Sequence, residues 1–451
     1  MSNKIKNKGE VLAWSMYDFA NQPFTNLVVS FIYGTFFTTV IATNQIIGTQ
    51  QWSYAISITA IIVALLSPFM GALADKGGYR KMFMLIFTWI TIIGSILLYF
   101  VLPGEILKAL FWFVIANIGF EMGSVFCNAY LPDISHSKNI GRVSGYGWSL
   151  GYVGGLIALA LAMFFLVQTD TPIFGFGKGE AGAYENIRAT NLLVAIWFAV
   201  FSIPTFLFVK DRKPDTKAFL KNAKHTVKDF RSTAKELREY PQIMRFLIAR
   251  LVYNDGLVTI FAFGGIYAAG TLDFTFDEIM MLGIVLNITA GIGAFLMGYL
   301  DDKVGGRMTL KVTLIGLMVA MLLAVFAPEI RPFLQYTFGG SFVPQWINAK
   351  NIFWFAAVLI GVFSGPNQSA SRSLMGRFTP EAKKNEFFGF FAFSGKATAF
   401  AGPFLLGILT VAFESQRVGI SIIFFFFLFG FLLLHRVDEN KGIEQGRLLN
   451  Q

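Results

Sequence analysis

Twelve apolar stretches, each long enough to cross a lipid bilayer, leave this chain of 451 residues few ways to fold. A spanning helix needs about 20 mostly apolar residues. Segments 11–41, 52–74, 82–102, 109–131, 144–167, 190–209, 245–269, 278–300, 309–328, 351–371, 386–411 and 417–435 all qualify. Hydrocarbon offers the backbone no hydrogen bonds, so each stretch is expected to be helical. Only 14% of the residues are charged, against roughly 25% in a soluble chain, which is too few to cover a water-facing surface. The basic residues set the orientation. With the N-terminus in the cytoplasm, 29 of the 37 Lys and Arg fall on cytoplasmic segments and 6 on the opposite loops, the positive-inside pattern. Both termini are then cytoplasmic. Lys4, Lys6 and Lys8 precede a first helix without a small-residue cleavage site, which reads as a retained helix and not a removed signal peptide.

The chain also repeats itself. Gly71-Ala72-Leu73-Ala74-Asp75-Lys76-Gly77-Gly78-Tyr79-Arg80 returns as Gly298-Tyr299-Leu300-Asp301-Asp302-Lys303-Val304-Gly305-Gly306-Arg307. A second echo opens segments 5 and 11: Gly145 and Gly151 in one, Gly389 and Gly395 in the other, each pair six residues apart. Small residues let membrane helices approach closely. The pattern predicts an all-α membrane protein of two pseudo-symmetric six-helix bundles, 1–209 and 245–451, joined by a basic linker, 210–244. In the linker Leu220, Ala223, Val227, Phe230, Ala234 and Leu237 recur at helical spacing, which predicts an amphipathic helix on the cytoplasmic membrane face. Doubled architectures of this kind are used by transporters, with the substrate site between the repeats.

Ionisable groups inside a bilayer cost about 2.5–3.5 kcal/mol or more and need a reason. Five stand out: Asp18, Glu121, Arg250, Asp255 and Lys396. Asp18, Asp255 and Lys396 lie at similar depths from the cytoplasmic side and predict one shared polar layer. That layer suits a zwitterion, with Lys396 on its carboxylate and an aspartate on its ammonium; it equally suits an ion network that opens and closes with the transport cycle, or a structural ion pair. Asn21, Asn254, the stripe Asn117, Glu121, Ser124, Asn128, and the stripe Ser364, Gln368, Ser371 place further polar groups on single helix faces. The candidate substrate contacts are Asp18, Asn21, Tyr17, Asn128, Tyr253, Asn254, Asp255, Gln368 and Lys396. Glu121 is the candidate proton carrier, a carboxyl group in a low-dielectric site with no cation on its own helix; its alternative is a salt bridge to Lys396 or Arg250. Arg250, about five residues inside its segment, is expected to snorkel to the headgroups. Cys127 is the single cysteine, and the chain carries neither a Gly-x-x-x-x-Gly-Lys phosphate loop nor a His-Glu-x-x-His metal motif. The reading is therefore a transporter and not an enzyme, with no cofactor, no metal and no nucleic-acid partner.

The loop 71–80 resembles the signature loop between helices 2 and 3 of the major facilitator superfamily, and 298–307 its degenerate copy between helices 8 and 9. Tyr17-Asp18-Phe19-Ala20-Asn21, Asn128-Ala129-Tyr130-Leu131-Pro132-Asp133, Tyr253-Asn254-Asp255-Gly256 and the run from Ser371-Arg372 through Glu386-Phe387-Phe388-Gly389 to Ser394-Gly395-Lys396 resemble a narrower branch. It is the branch of the fungal vacuolar amino-acid effluxers and their bacterial relatives. The resemblance implies a monomeric, multi-pass secondary transporter of a bacterial cytoplasmic (inner) membrane, working by alternating access on a neutral amino acid, with protons as the candidate coupling ion and lipid as its surroundings. A sugar, a peptide or a drug-like organic ion is the alternative cargo, and a non-transporting sensor the alternative role. By the same resemblance Asp75, Arg80, Asp302 and Arg307 belong to gating loops that stabilise the state closed to the cytoplasm, with Arg142, Arg372 and Arg377 as partners.

Overall fold

The structure, a computed structural model, describes residues 7–211, 239–338 and 343–448. Twelve helices are long and apolar enough to span a membrane: α1 Lys8–Ile41, α2 Gln50–Asp75, α3 Arg80–Tyr99, α4 Ile106–Ile134, α5 Ile140–Val167, α6 Glu185–Phe208, α7 Pro241–Leu272, α8 Met281–Val304, α9 Gly306–Phe338, α10 Ala349–Phe378, α11 Glu381–Thr410 and α12 Gln416–His435. Most of the linker, and the whole amphipathic helix expected at 220–237, lies outside the described residues.

Local chemistry sets the helix ends and breaks. Asn7 caps α1, Asn44 the helix that runs into α2, and Asn348 α10, each side chain accepting a first-turn amide. Thr275 and Glu278 form a reciprocal capping box ahead of α8. Past Pro23, α1 widens into π-helical turns over Phe24–Phe31 and again over Phe37–Ile41. Helix α11 is discontinuous: one piece ends at Lys396, residues 397–400 leave the helix, and Ala401–Ala412 resumes it. Pro403 accounts for the break, since it lacks the amide that would reach back one turn and its ring crowds that carbonyl.

Two apolar cores lie within α1–α6, and a third is built almost wholly from α7–α12. Leu65, Phe164, Ile196, Leu296 and Phe404, each more than half exposed, lie on outward helix faces, as a chain solvated by lipid requires. With twelve spans both termini fall at one end of the bundle, here termed the terminal end. The halves meet chiefly through α5 against α8 and α2 against α11.

The echoed glycines make those two contacts possible. A Cβ on Gly145 would lie 2.5 Å from the Ala294 carbonyl oxygen of α8, and one on Gly389 would lie 2.4 Å from the Ser67 carbonyl oxygen of α2. Gly389→Leu is therefore expected to force α2 and α11 apart. Overpacking costs about 1–3 kcal/mol, which weakens the closed arrangement roughly 5- to 150-fold. The check is the distance between spin labels at exposed positions Lys138 and Ala382, one on each half at the terminal end. An unchanged distance distribution would show that this approach does not hold the end shut.

Candidate functional site

Two loop aspartates tie the halves together by a shared device. Asp75, ending α2, accepts the backbone amides of Asn385 (3.1 Å) and Glu386 (2.9 Å) in the first helical turn of α11. Asp302, near the end of α8, accepts those of Gly141 (2.9 Å) and Arg142 (3.2 Å) in the first turn of α5, and also pairs with the Arg142 guanidinium. Each carboxylate thus caps a helix of the opposite half, where the helix dipole favours negative charge. Gly78 (φ 67°) and Gly305 (φ 89°) turn the chain directly after them in the left-handed region that glycine enters without strain.

The basic residues of the two loops behave differently. Arg80 is buried, stacks 3.6 Å from the Tyr130 ring centroid, and pairs with Asp133 (2.7 Å) and Asp211 (3.1 Å). Asp133 also takes Lys384 of α11, so the chain Arg80–Asp133–Lys384 crosses between the halves. Arg307 stays in its own half and donates to the His435 carbonyl at 2.7 Å. Arg377 forms a fully buried pair with Asp301 at 2.6 Å and reaches Glu439 at 3.3 Å. Glu439 in turn accepts the first amides of α9, those of Gly306 and Arg307.

Deeper in, the expected single polar layer is two. The first joins Asp18 of α1 to Arg372 of α10 at 2.7 Å. Arg372 also donates to the Asn128 side chain (3.1 Å), the Ser144 hydroxyl (3.0 Å) and the Ser144 carbonyl (2.6 Å), and its guanidinium lies between Trp14 and Trp148 at 4.7 and 5.6 Å. A residue of the second half is thereby held by α1, α4 and α5 of the first. The second layer joins Lys396 of α11 to Glu121 of α4 at 2.6 Å, about a dozen residues from the helix ends. Of the two readings of Glu121, the structure forms the salt bridge. Asp18 pairs with Arg372 and not with Lys396 because it lies about ten residues into α1, whereas Lys396 lies about fifteen into α11.

Arg250 departs from its expected snorkelling. It is 7% exposed and turned into the bundle, donating to the Phe391 carbonyl (2.6 Å) and Ser394 hydroxyl (2.8 Å) over the Phe391 ring. The reason is length: α7 begins at Pro241, so Arg250 sits about 14 Å along the helix, beyond comfortable reach of the headgroups.

The remaining candidates divide. Asn21 donates to Ser124 at 3.5 Å, and Asn254 to the Gly395 carbonyl at 2.9 Å, beside Lys396. Asp255 is 3% exposed and forms no ion pair among the described residues. Gln368 is half-buried. Tyr17 is fully buried among α1, α3 and α6, bonded to Thr88 at 2.8 Å, and Tyr253 is buried against Ser371 at 2.8 Å. Among the described residues no His, Cys, Asp or Glu set gathers that could hold a metal ion.

Every hydrogen bond described between the halves, from Ser67–Gly389 through Ser149–Gly291 to Glu121–Lys396, lies between the terminal end and mid-span. The molecule is closed at that end. Asp133, Lys384 and Asp301 were not singled out from sequence, although Asp133 closes the stretch 128–133 and Asp301 lies inside the loop echo.

The fold is shared with solved transporters. It resembles the proton:xylose symporter XylE (TM-score 0.68, 12% identity, 98% of each chain) and a bacterial homologue of the iron transporter ferroportin in an outward-facing state (TM-score 0.67, 13% identity, 95% of this chain and 98% of that one). With the family and the relative that follow, these mark a multi-pass membrane transporter of major facilitator type and not an enzyme. The chain belongs to the family described as vacuole effluxer Atg22 like, whose model matches residues 6–447. It is similar to the MFS-type transporter YxiO of Bacillus subtilis (25% identity, 97% of each chain). It is also similar to autophagy-related protein 22 of Kluyveromyces lactis (23% identity, 88% of this chain and 81% of that one).

Proposed function

We propose that the protein is a secondary transporter of neutral amino acids in a bacterial cytoplasmic membrane, with both termini cytoplasmic, working as a monomer by alternating access between the bundles 1–209 and 245–451. The observation that carries this reading is the Glu121–Lys396 pair. It lies between the halves at mid-span, yet the two side chains keep 20% and 33% of their surface exposed, which marks an open space and not a packed core. Asp255, Asn254, Asn21 and Gln368 supply further polar groups at this level, and Arg250 supplies a second cation. Asp18 and Arg372, with Asp75, Asp302 and Arg142, act as the gate on the cytoplasmic side. The effluxer name of the family supports export of a small metabolite. Uptake of radiolabelled amino acids into proteoliposomes tests the assignment; sugar or peptide uptake without amino-acid uptake would replace it.

Proton coupling fits Asp255 better than Glu121. Glu121 is already matched by Lys396, whereas Asp255 has no counter-ion among the described residues and can exchange a proton without breaking a salt bridge. The symporter names of XylE and of FucP, which also shares the fold, are in keeping with proton use. Asp255→Asn is expected to abolish accumulation driven by an imposed pH gradient while leaving counterflow exchange intact. Gradient-driven accumulation by the variant would remove Asp255 from the coupling step.

A further inference from the structure

The Glu121–Lys396 bond is the deepest ionic bond described between the halves. On its α7 side sits Arg250, with no carboxylate at ion-pair distance among the described residues. Its Nη1 makes both described hydrogen bonds, so the Nε and Nη2 edge donates to none of the described residues. The guanidinium lies against Gly395, the residue before Lys396: a Cβ there would be 2.7 Å from Nη1 and 2.9 Å from Nη2. Directly after Lys396, α11 breaks over 397–400, and the Thr398 hydroxyl in that break lies against the Asp255 carboxyl. Two cations, one matched carboxylate, the Asp255 carboxyl and an unused guanidinium edge therefore meet at a discontinuous helix, the kind of site where transporters bind charged substrate groups.

We infer that the Glu121–Lys396 bond is a placeholder for the charges of the substrate. This rests on the amino-acid reading above and specifies how that substrate is held. The ammonium of the amino acid takes Glu121, its carboxylate takes Lys396 and the open edge of Arg250, and the direct bond between α4 and α11 is broken as the substrate binds. A zwitterion exchanges the pair charge for charge and strands neither side chain. An amine matches Glu121 but leaves Lys396 and Arg250 without an anion. A carboxylic acid matches the cations but leaves Glu121 unpaired. Leaving one member of the pair without its counter-ion at mid-span is unfavourable, so the site selects for both charges in one molecule. The same exchange loosens a tie between the halves, which links occupancy to the change of conformation.

The test uses purified full-length protein in nanodiscs and measures binding of each neutral L-amino acid beside its decarboxylated amine and its deaminated acid. At least one amino acid is expected to bind, with its amine and its acid each about 100-fold weaker or more. The double variant Glu121→Gln/Lys396→Gln, which strands no charge and so should remain folded, is expected to lose that binding by a similar factor while keeping the melting profile of the parent. An amine or acid that binds as tightly as its amino acid overturns the placeholder, as does unchanged amino-acid binding by the double variant; either result leaves the amino-acid assignment standing. Absence of binding by every neutral amino acid overturns that assignment and the placeholder with it.

Discussion

Replacing Arg372 with methionine is expected to unlock the terminal end. In the closed molecule the Arg372 side chain is 3% exposed and makes its ion pair and its bonds to Asn128 and Ser144 across the interface. All of these are lost when the halves part, so they bear on the balance between closed and open states more than on the integrity of either bundle. Methionine keeps the apolar contact with Trp14 and Trp148 but leaves the Asp18 carboxylate without its cation. Removing one member of a buried pair costs about 3–5 kcal/mol, and a tenfold change corresponds to about 1.4 kcal/mol. The closed population should fall at least 100-fold relative to the open one. Spin labels at Lys138 and Ala382 read this directly as a longer distance. Adding Asp18→Asn should restore part of the closure, because the stranded charge is then gone. If the single variant keeps the parental distance distribution, Arg372 is not the lock.

Arg377→Met is expected to do something different with the same chemistry. Arg377 and Asp301 are 3% and 1% exposed and lie on α10 and α8 of one bundle, with Ser373 and Glu439 completing the set. The pair itself travels with its bundle, and of its described bonds only the long one from Arg377 Nε to the Ser137 carbonyl (3.4 Å) crosses to the other half. Its loss should cost about 3–5 kcal/mol of fold stability, seen as the largest drop in melting temperature among single charge removals. The closed-to-open balance should shift much less than in Arg372→Met. A melting temperature equal to that of the parent protein would mean that Asp301 finds another partner and that the pair is dispensable.

The contrast shows what could be read in advance. Twelve spans, the doubled loop and the glycine pairs were legible because each follows from a local period or a repeat: Gly145 and Gly389 stand at matching positions because both must admit a neighbouring backbone. The depth of a residue was legible only where the helix start was. Arg250 was assigned to the headgroups because Pro241, the first residue of α7, lay among polar residues that read as linker. Partners of buried charges were the least legible. Asp18 and Arg372 are 354 residues apart, and nothing local says that α10 faces α1 there. Arg372 lies about six residues from the end of α10, so its position read as part of a loop gate, yet its long side chain points inward and pairs with Asp18 in the first ionic layer.

Asp75 and Asp302 grip peptide N–H groups, a donor that every residue except proline supplies. On the receiving helix α11, position 386 can therefore change identity without losing its bond to Asp75, whereas Asn385 also gives its side-chain amide to that carboxylate at 2.7 Å; neither aspartate has a neutral substitute that carries the same charge to the helix start. Constraint falls more heavily on the aspartates than on the residues they hold, an asymmetry written into the main chain.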